Sequence, residues 1–200
     1  MHTPHKIVLA SSNEGKVREI NQMLANTDIR VIPQTEFNIE DVEETGLSFI
    51  ENALLKARHA SMQTGLPAIA DDSGIVVDAL QGRPGIYSAR YAGEGATDEE
   101  NLWKLIKEVE SLPEDDRAAR FICLMVYLEH KDDPTPVIAE GVWHGIAITE
   151  PKGKNGFGYD PMFYLPEFQS TSAELPPDKK NSISHRGQAL KKLVELITAC

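Results

Sequence analysis

Two adjacent carboxylates, Asp71 and Asp72, break an apolar run of β type that begins with Ala68-Ile69-Ala70 and resumes at Ile75-Val76-Val77. Acids in such a setting are costly unless they are paired, cap a turn or hold a cation. Strand alternation sends their side chains to opposite faces, so only one of them need face a ligand. The plainer alternative is a carboxylate capping a turn at Ser73-Gly74. A second acidic pair, Glu43-Glu44, precedes a helical segment. Alone it reads as a solvated loop. Taken with Asp72, it offers another oxygen to a hard cation such as Mg²⁺, which binds through one or two carboxylates and otherwise takes water and phosphate.

Three further segments have suitable residue types. Ser11-Ser12-Asn13-Glu14-Gly15-Lys16 follows apolar Ile7-Val8-Leu9-Ala10 and opens a helix, where free backbone N–H groups and the helix dipole favour a phosphate. It is not a P-loop, which would need Gly at position 10 and Ser or Thr at 17; the chain has Ala10 and Val17. An ordinary βα turn with a solvated lysine is the alternative. Gly153-Lys154-Asn155-Gly156-Phe157-Gly158-Tyr159-Asp160-Pro161 is a glycine-rich loop with two aromatics. Its glycines would let a planar ring approach and stack, with Asp160 accepting hydrogen bonds from the ring's edge. Lys179-Lys180 and Ser184-His185-Arg186-Gly187 place a basic cluster at the start of the last helix. Cations oppose the dipole there, so the cluster suits an anionic or carbonyl-rich partner.

The elements that must position these residues follow from periodicity. Ile7 to Ala10 reads as a buried strand, and Val17, Ile20 and Leu24 share one face of the helix after it. Ile29-Arg30-Val31-Ile32 reads as a second strand ended by Pro33, and Leu47, Ile50 and Leu54 as a helix reaching Gly65. Thr97-Asp98-Glu99-Glu100 is a capping box opening a helix with Leu102, Leu105, Ile106 and Val109. Segments 118–130 and 137–149 form a hairpin around Asp132-Asp133-Pro134-Thr135-Pro136, and Leu190, Leu193, Val194 and Ile197 mark an amphipathic helix with Ser184 near its N-cap. The expected fold is mixed α/β with one continuous sheet and two lobes around a cleft.

Composition bounds the function. The chain has 200 residues, 41% hydrophobic and 26% charged, with no apolar run near eighteen residues and no signal-peptide pattern at its start. A soluble cytoplasmic protein with no membrane partner is expected. Twenty Lys+Arg against 31 Asp+Glu give a formal charge of −11, which argues against wrapping nucleic acid. Cys123 and Cys200 have neither CxxC spacing nor a ligand cluster, and Cys123 reads as a buried, inert thiol.

Taken together, these segments resemble the inosine/xanthosine triphosphate pyrophosphatases. The matching pieces run in order: Ser11 to Lys16, Glu43-Glu44-Thr45-Gly46 with Ser48 to Ala53, Ala70 to Gly74, Pro84 to Tyr91, Gly156 to Pro161, and Ser184 to Gly187. The resemblance spans nearly the whole chain, as one nucleoside-triphosphate pyrophosphatase domain over residues 1–200. It implies an elongated mixed sheet with flanking helices, two lobes around a central cleft, and a homodimer. The implied reaction is Mg²⁺-dependent cleavage of ITP, dITP or XTP between the α and β phosphates, giving monophosphate and pyrophosphate.

Carried over by motif, Ser11, Ser12, Asn13, Glu14, Gly15 and Lys16 hold the phosphates. Asp72 is the proton acceptor and a metal ligand, and Glu43, or its neighbour Glu44, is the other ligand. Ser73, Phe157, Gly158, Tyr159, Asp160, Lys180, His185 and Arg186 line the nucleotide and base pocket. A true base needs a raised pKa whereas metal binding lowers it, so Asp72 is expected chiefly to hold Mg²⁺ and orient water. Donors such as Arg186 or Lys180 would pair with a 6-oxo group and leave the amino group of adenine unpaired. A pyrophosphatase for modified pyrimidine or methylated nucleotides, and a non-catalytic nucleotide sensor, are the competing readings.

Overall fold

The computed structural model describes residues 6–25 and 27–199; the N-terminal residues 1–5 and Cys200, both used in the reading above, lie outside them. Among the described residues a seven-stranded sheet has the order β2-β1-β3-β4-β5-β6-β7. These strands are β1 (Lys6–Leu9), β2 (Arg30–Pro33), β3 (Ala68–Val77), β4 (Ala118–Leu128), β5 (Val137–Ala147), β6 (Phe163–Leu165) and β7 (Ser170–Thr171). β1 pairs in parallel with β2 and β3, while β6 is antiparallel to β5 and β7, so the sheet is mixed. The helices are α1 (Glu14–Leu24), α2 (Phe49–Thr64), α3 (Asp98–Glu110), α4 (Pro177–Ile183) and α5 (His185–Thr198).

The chain forms two compact units, one comprising the segment up to Asp72, Cys123–Gly141 and the segment from Gly187, the other Ser73–Ile122 and Val142–Arg186. The first unit shows the period of two that a strand buried on both faces requires. Ile7, Leu9, Ile69, Cys123 and Met125 join one apolar cluster with Ile20 and Leu24 of α1. Val8, Ala10, Ala68, Ala70 and Val126 join another with Ala53, Ala57 and Ala60 of α2. The alanine stripe on α2 presents only methyl groups to Ala68 and Ala70. In the second unit Leu102, Leu105, Ile106 and Val109 of α3 pack with Ile75, Val77, Phe121, Trp143 and Phe163.

Local signals placed most boundaries. Thr97 and Glu100 complete the capping box of α3, and Gly65 ends α2 in the left-handed conformation at φ 69°. Asp133 accepts from the backbone N–H groups of Glu129 and Thr135, closing the loop between β4 and β5. One expectation is corrected, and one alternative is set aside. Leu47 is not on the helix face: Ser48 caps α2, and Leu47 stands before it at 85% exposure. Pro33 ends β2, as expected, and is its last residue, which the edge position allows because proline there need not donate to a neighbour. Ser73-Gly74 is not a turn; β3 continues through it. A Cβ on Gly74 would lie 2.4 Å from the Gly85 carbonyl and the Ser88 hydroxyl, so the glycine serves a close backbone approach.

Candidate active site

Asp71 and Asp72 sit in the interior of β3 and are almost wholly buried. Alternation settles their partners. Asp71 shares a face with Ile69 and meets Lys16 from α1, Oδ1 to Nζ 2.5 Å. Asp72 shares a face with Ala68 and Ala70 and meets Lys56 from α2, whose Nζ donates to Oδ1 at 2.7 Å. The same ammonium donates to Glu44 at 2.9 Å. Burial pushes the Asp72 carboxyl above its ordinary pKa, against the pull of Lys56 and Lys16. Burial disfavours the Lys56 ammonium too, but Asp72 and Glu44 outweigh it and hold its pKa above the usual lysine value. The other Asp72 oxygen, Oδ2, is buried and meets no hydrogen-bond donor among the described residues.

Ser11 to Lys16 form the turn from β1 into α1. Asn13 is the N-cap and accepts from the backbone N–H of Lys16 at 3.0 Å, while Ser11 Oγ accepts from the Asn13 N–H at 3.2 Å. Ser12 donates to Asp41, which also accepts from Gln34. Glu14 and Gly15 are the first two residues of α1, so their N–H groups lie in the turn of the helix that has no intrahelical acceptor. Lys16, Lys56, Asp72 and Glu44 thus gather in one unit with this turn. Of the acidic pair, Glu44 is bound to Lys56, and Glu43 is exposed in the same loop.

The second unit gathers Ser73, Phe157, Asp160, Lys180 and Arg186. Arg186 is 2% exposed and donates to Ser73 Oγ at 2.9 Å. Lys180 Nζ and Arg186 Cζ lie 5.2 and 5.6 Å from the centroid of the half-buried Phe157 ring, within cation–π range. Asp160 organises this loop: Oδ2 accepts from the Phe157 N–H and from Lys180, and Oδ1 accepts from Ser172. Its oxygens are therefore engaged within the protein rather than waiting for a ring's edge. Gly158 donates its N–H to Asp98 at the start of α3.

Two further residues of the expected pocket are buried and pack on their own neighbours. Tyr159 is 5% exposed and donates its phenol to the Ser88 carbonyl at 2.7 Å, so it anchors the loop and is no free stacking face. His185 is 5% exposed and lies flat on Phe121, centroids 4.6 Å apart at 9°. Lys56 escaped the sequence reading altogether. Its only local signal was its place beside the Ala53–Ala57–Ala60 stripe, which does not say that an aspartate 16 residues on shares that face.

The carboxylates of the first unit whose chemistry suits a hard cation are Asp72, through its donor-free Oδ2, and the Glu43-Glu44 pair, of which Glu44 already accepts from Lys56. Among the described residues no group of three or more His, Cys, Asp and Glu side chains stands together as a metal site.

The chain is similar to known proteins over nearly its whole length. The family model described as "Ham1 family" matches residues 7–196. A dITP/XTP pyrophosphatase of Vibrio parahaemolyticus is 56% identical over 194 residues, covering 97% of each chain. The dITP/XTP pyrophosphatase of Thioalkalivibrio sulfidiphilus is 59% identical over 190 residues, 95% of this chain and 97% of that one. The solved structure of a HAM1 protein from Coxiella burnetii superposes with a TM-score of 0.90 at 52% identity, covering 98% of this chain and all of that one.

Proposed function

The chain belongs to the Ham1 family, and we propose from that premise that it hydrolyses the deaminated purine nucleoside triphosphates ITP, dITP and XTP to monophosphate and pyrophosphate in the cytoplasm. The observation that carries this reading is the buried Asp72, one oxygen held by Lys56 and the other without a donor, in the same unit as the Ser11–Lys16 turn. Lys16 and the first-turn N–H groups hold phosphate oxygens, supplying positive charge where negative charge must be stabilised. Asp72 and the Glu43-Glu44 pair would hold Mg²⁺, which when bound neutralises charge on the transferring group. Asp72 orients the attacking water and takes its proton; its raised carboxyl pKa favours that second role more than the sequence reading allowed.

The base rests against Phe157, with Ser73 and Arg186 beside it and Lys180 held by Asp160. Donors aimed at a 6-oxo oxygen leave an adenine amino group facing another donor, and a buried mismatch of this kind discriminates strongly. The test is to incubate the protein with ITP, XTP, dITP, GTP and ATP, with and without Mg²⁺, and to identify the released anion. Pyrophosphate from ITP, dITP and XTP far above ATP is expected. Release of orthophosphate, or equal turnover of ATP and ITP, refutes the reading.

A further inference from the structure

We infer that Asp71 is a positioning residue: with the Cys123 thiol on its other oxygen, it clamps the Lys16 ammonium at the mouth of the phosphate-binding turn. The inference rests on the phosphate role proposed for Lys16, and the motif reading gives neither Asp71 nor Cys123 a function. The Asp71 side chain has no exposed surface. Both its oxygens are engaged, Oδ1 with Lys16 Nζ at 2.5 Å and Oδ2 with the Cys123 thiol, which donates at 2.9 Å. The three groups come from three elements, β3, α1 and β4, and β3 is hydrogen-bonded between β1 and β4. The carboxylate therefore sits on a strand fixed from both sides, the kind of support that holds a working group in place.

A lysine reaches its ligand on four rotatable bonds, and ordering them on binding weakens affinity. Asp71 removes most of that cost beforehand, since Lys16 is held in the free protein and still keeps 15% of its side chain exposed to a phosphate. The thiol matters because it occupies Oδ2. A carboxylate with one oxygen taken offers the ammonium a single acceptor direction instead of two. An aliphatic residue at 123 would take the thiol donor away from that buried oxygen.

The test is a double-mutant cycle on the full chain, read by calorimetric binding of inorganic pyrophosphate and by KM and kcat for ITP. Asp71→Asn is expected to weaken pyrophosphate binding and raise KM about 10- to 100-fold, with a smaller fall in kcat. In a Lys16→Ala background the same change should have no further effect, because Asp71 acts through Lys16. Cys123→Ala should give a weaker version of the same phenotype and Cys123→Ser should restore it, which keeps the test open if Asp71→Asn does not fold. Multiplying effects of Asp71→Asn and Lys16→Ala, or a loss of thermal stability with pyrophosphate affinity unchanged, overturns the inference. Failure of the wild-type protein to release pyrophosphate from ITP would instead refute the proposed reaction, and the pyrophosphate-binding arm still decides the role of Asp71.

Discussion

Lys56 ties two carboxylates together, Asp72 at 2.7 Å and Glu44 at 2.9 Å, with only 14% of its side chain exposed. Removing it strands a buried acid, because Asp72 Oδ2 already lacks a donor. Lys56→Met should therefore lower stability by about 3 kcal/mol in urea titrations and cut pyrophosphate release from ITP about 100-fold or more. The two glutamates should separate. Glu44 is already engaged by the Lys56 ammonium, whereas Glu43 is the exposed member of the pair. Glu43→Gln should raise the Mg²⁺ concentration for half-maximal rate about tenfold or more, measured with ITP in excess. Glu44→Gln should mainly lower the melting temperature by loosening Lys56, and a Mg²⁺ requirement moved equally by both variants would show that they share the cation.

Helices α2 and α3 are each held at their start by side chains close in sequence. In α2, hydrogen bonds from Ser48 and from the Leu47 N–H hold the Glu51 carboxyl below its ordinary pKa; in α3 the Thr97 N–H and hydroxyl do the same for Glu100. A carboxyl depressed in the folded state adds stability that is fully present above its unfolded pKa and is lost as pH falls through the folded value. Glu100→Gln should therefore lower the melting temperature at pH 7, by an amount that shrinks as pH falls through the lowered value of the folded carboxyl. Thr97→Ala, which removes the cap itself, should cost about 1 kcal/mol at neutral pH. The glycine-rich loop is tested at Gly156, which has φ 77° and where a Cβ would lie 2.0 Å from Asp160 Oδ2. Gly156→Ala should displace Asp160 and Lys180, raising KM for ITP more than it lowers kcat; an unchanged KM would remove the loop from the base site.

For the molecule as a whole, the formal charge of −11 is unevenly placed. Residues 36–51 contribute −6 and residues 98–116 another −6, leaving +1 for the rest of the chain. The first acidic stretch is the loop that carries Glu43 and Glu44, and the second contains α3. The phosphate turn and the Lys180–Arg186 segment lie outside both, so a protein whose net charge repels nucleic acid can still take a small phosphorylated substrate. The homodimer implied by the resemblance should appear at about twice the chain mass in sedimentation equilibrium. No helix among the described residues is long and apolar enough to cross a membrane.

What the sequence determined by itself was whatever depends on neighbours within a turn or two: the buried strand at β1, the capping box of α3, and the glycine that ends α2. Those features rest on hydrogen bonds three or four residues apart and on periods of 2 and 3.6, all legible in a linear string. The residue types of the site were legible for the same reason, since paired acids in an apolar strand demand an explanation wherever the strand lies. Only the tertiary structure decided that Asp71 faces Lys16 and Asp72 faces Lys56, across 55 and 16 residues of chain. It likewise decided that Ser73-Gly74 continues a strand, that Tyr159 reaches the Ser88 carbonyl and that His185 lies flat on Phe121. Which helix covers which face of β3, and which ring packs on which, is set by sheet order and packing between distant segments, and no local spacing records it.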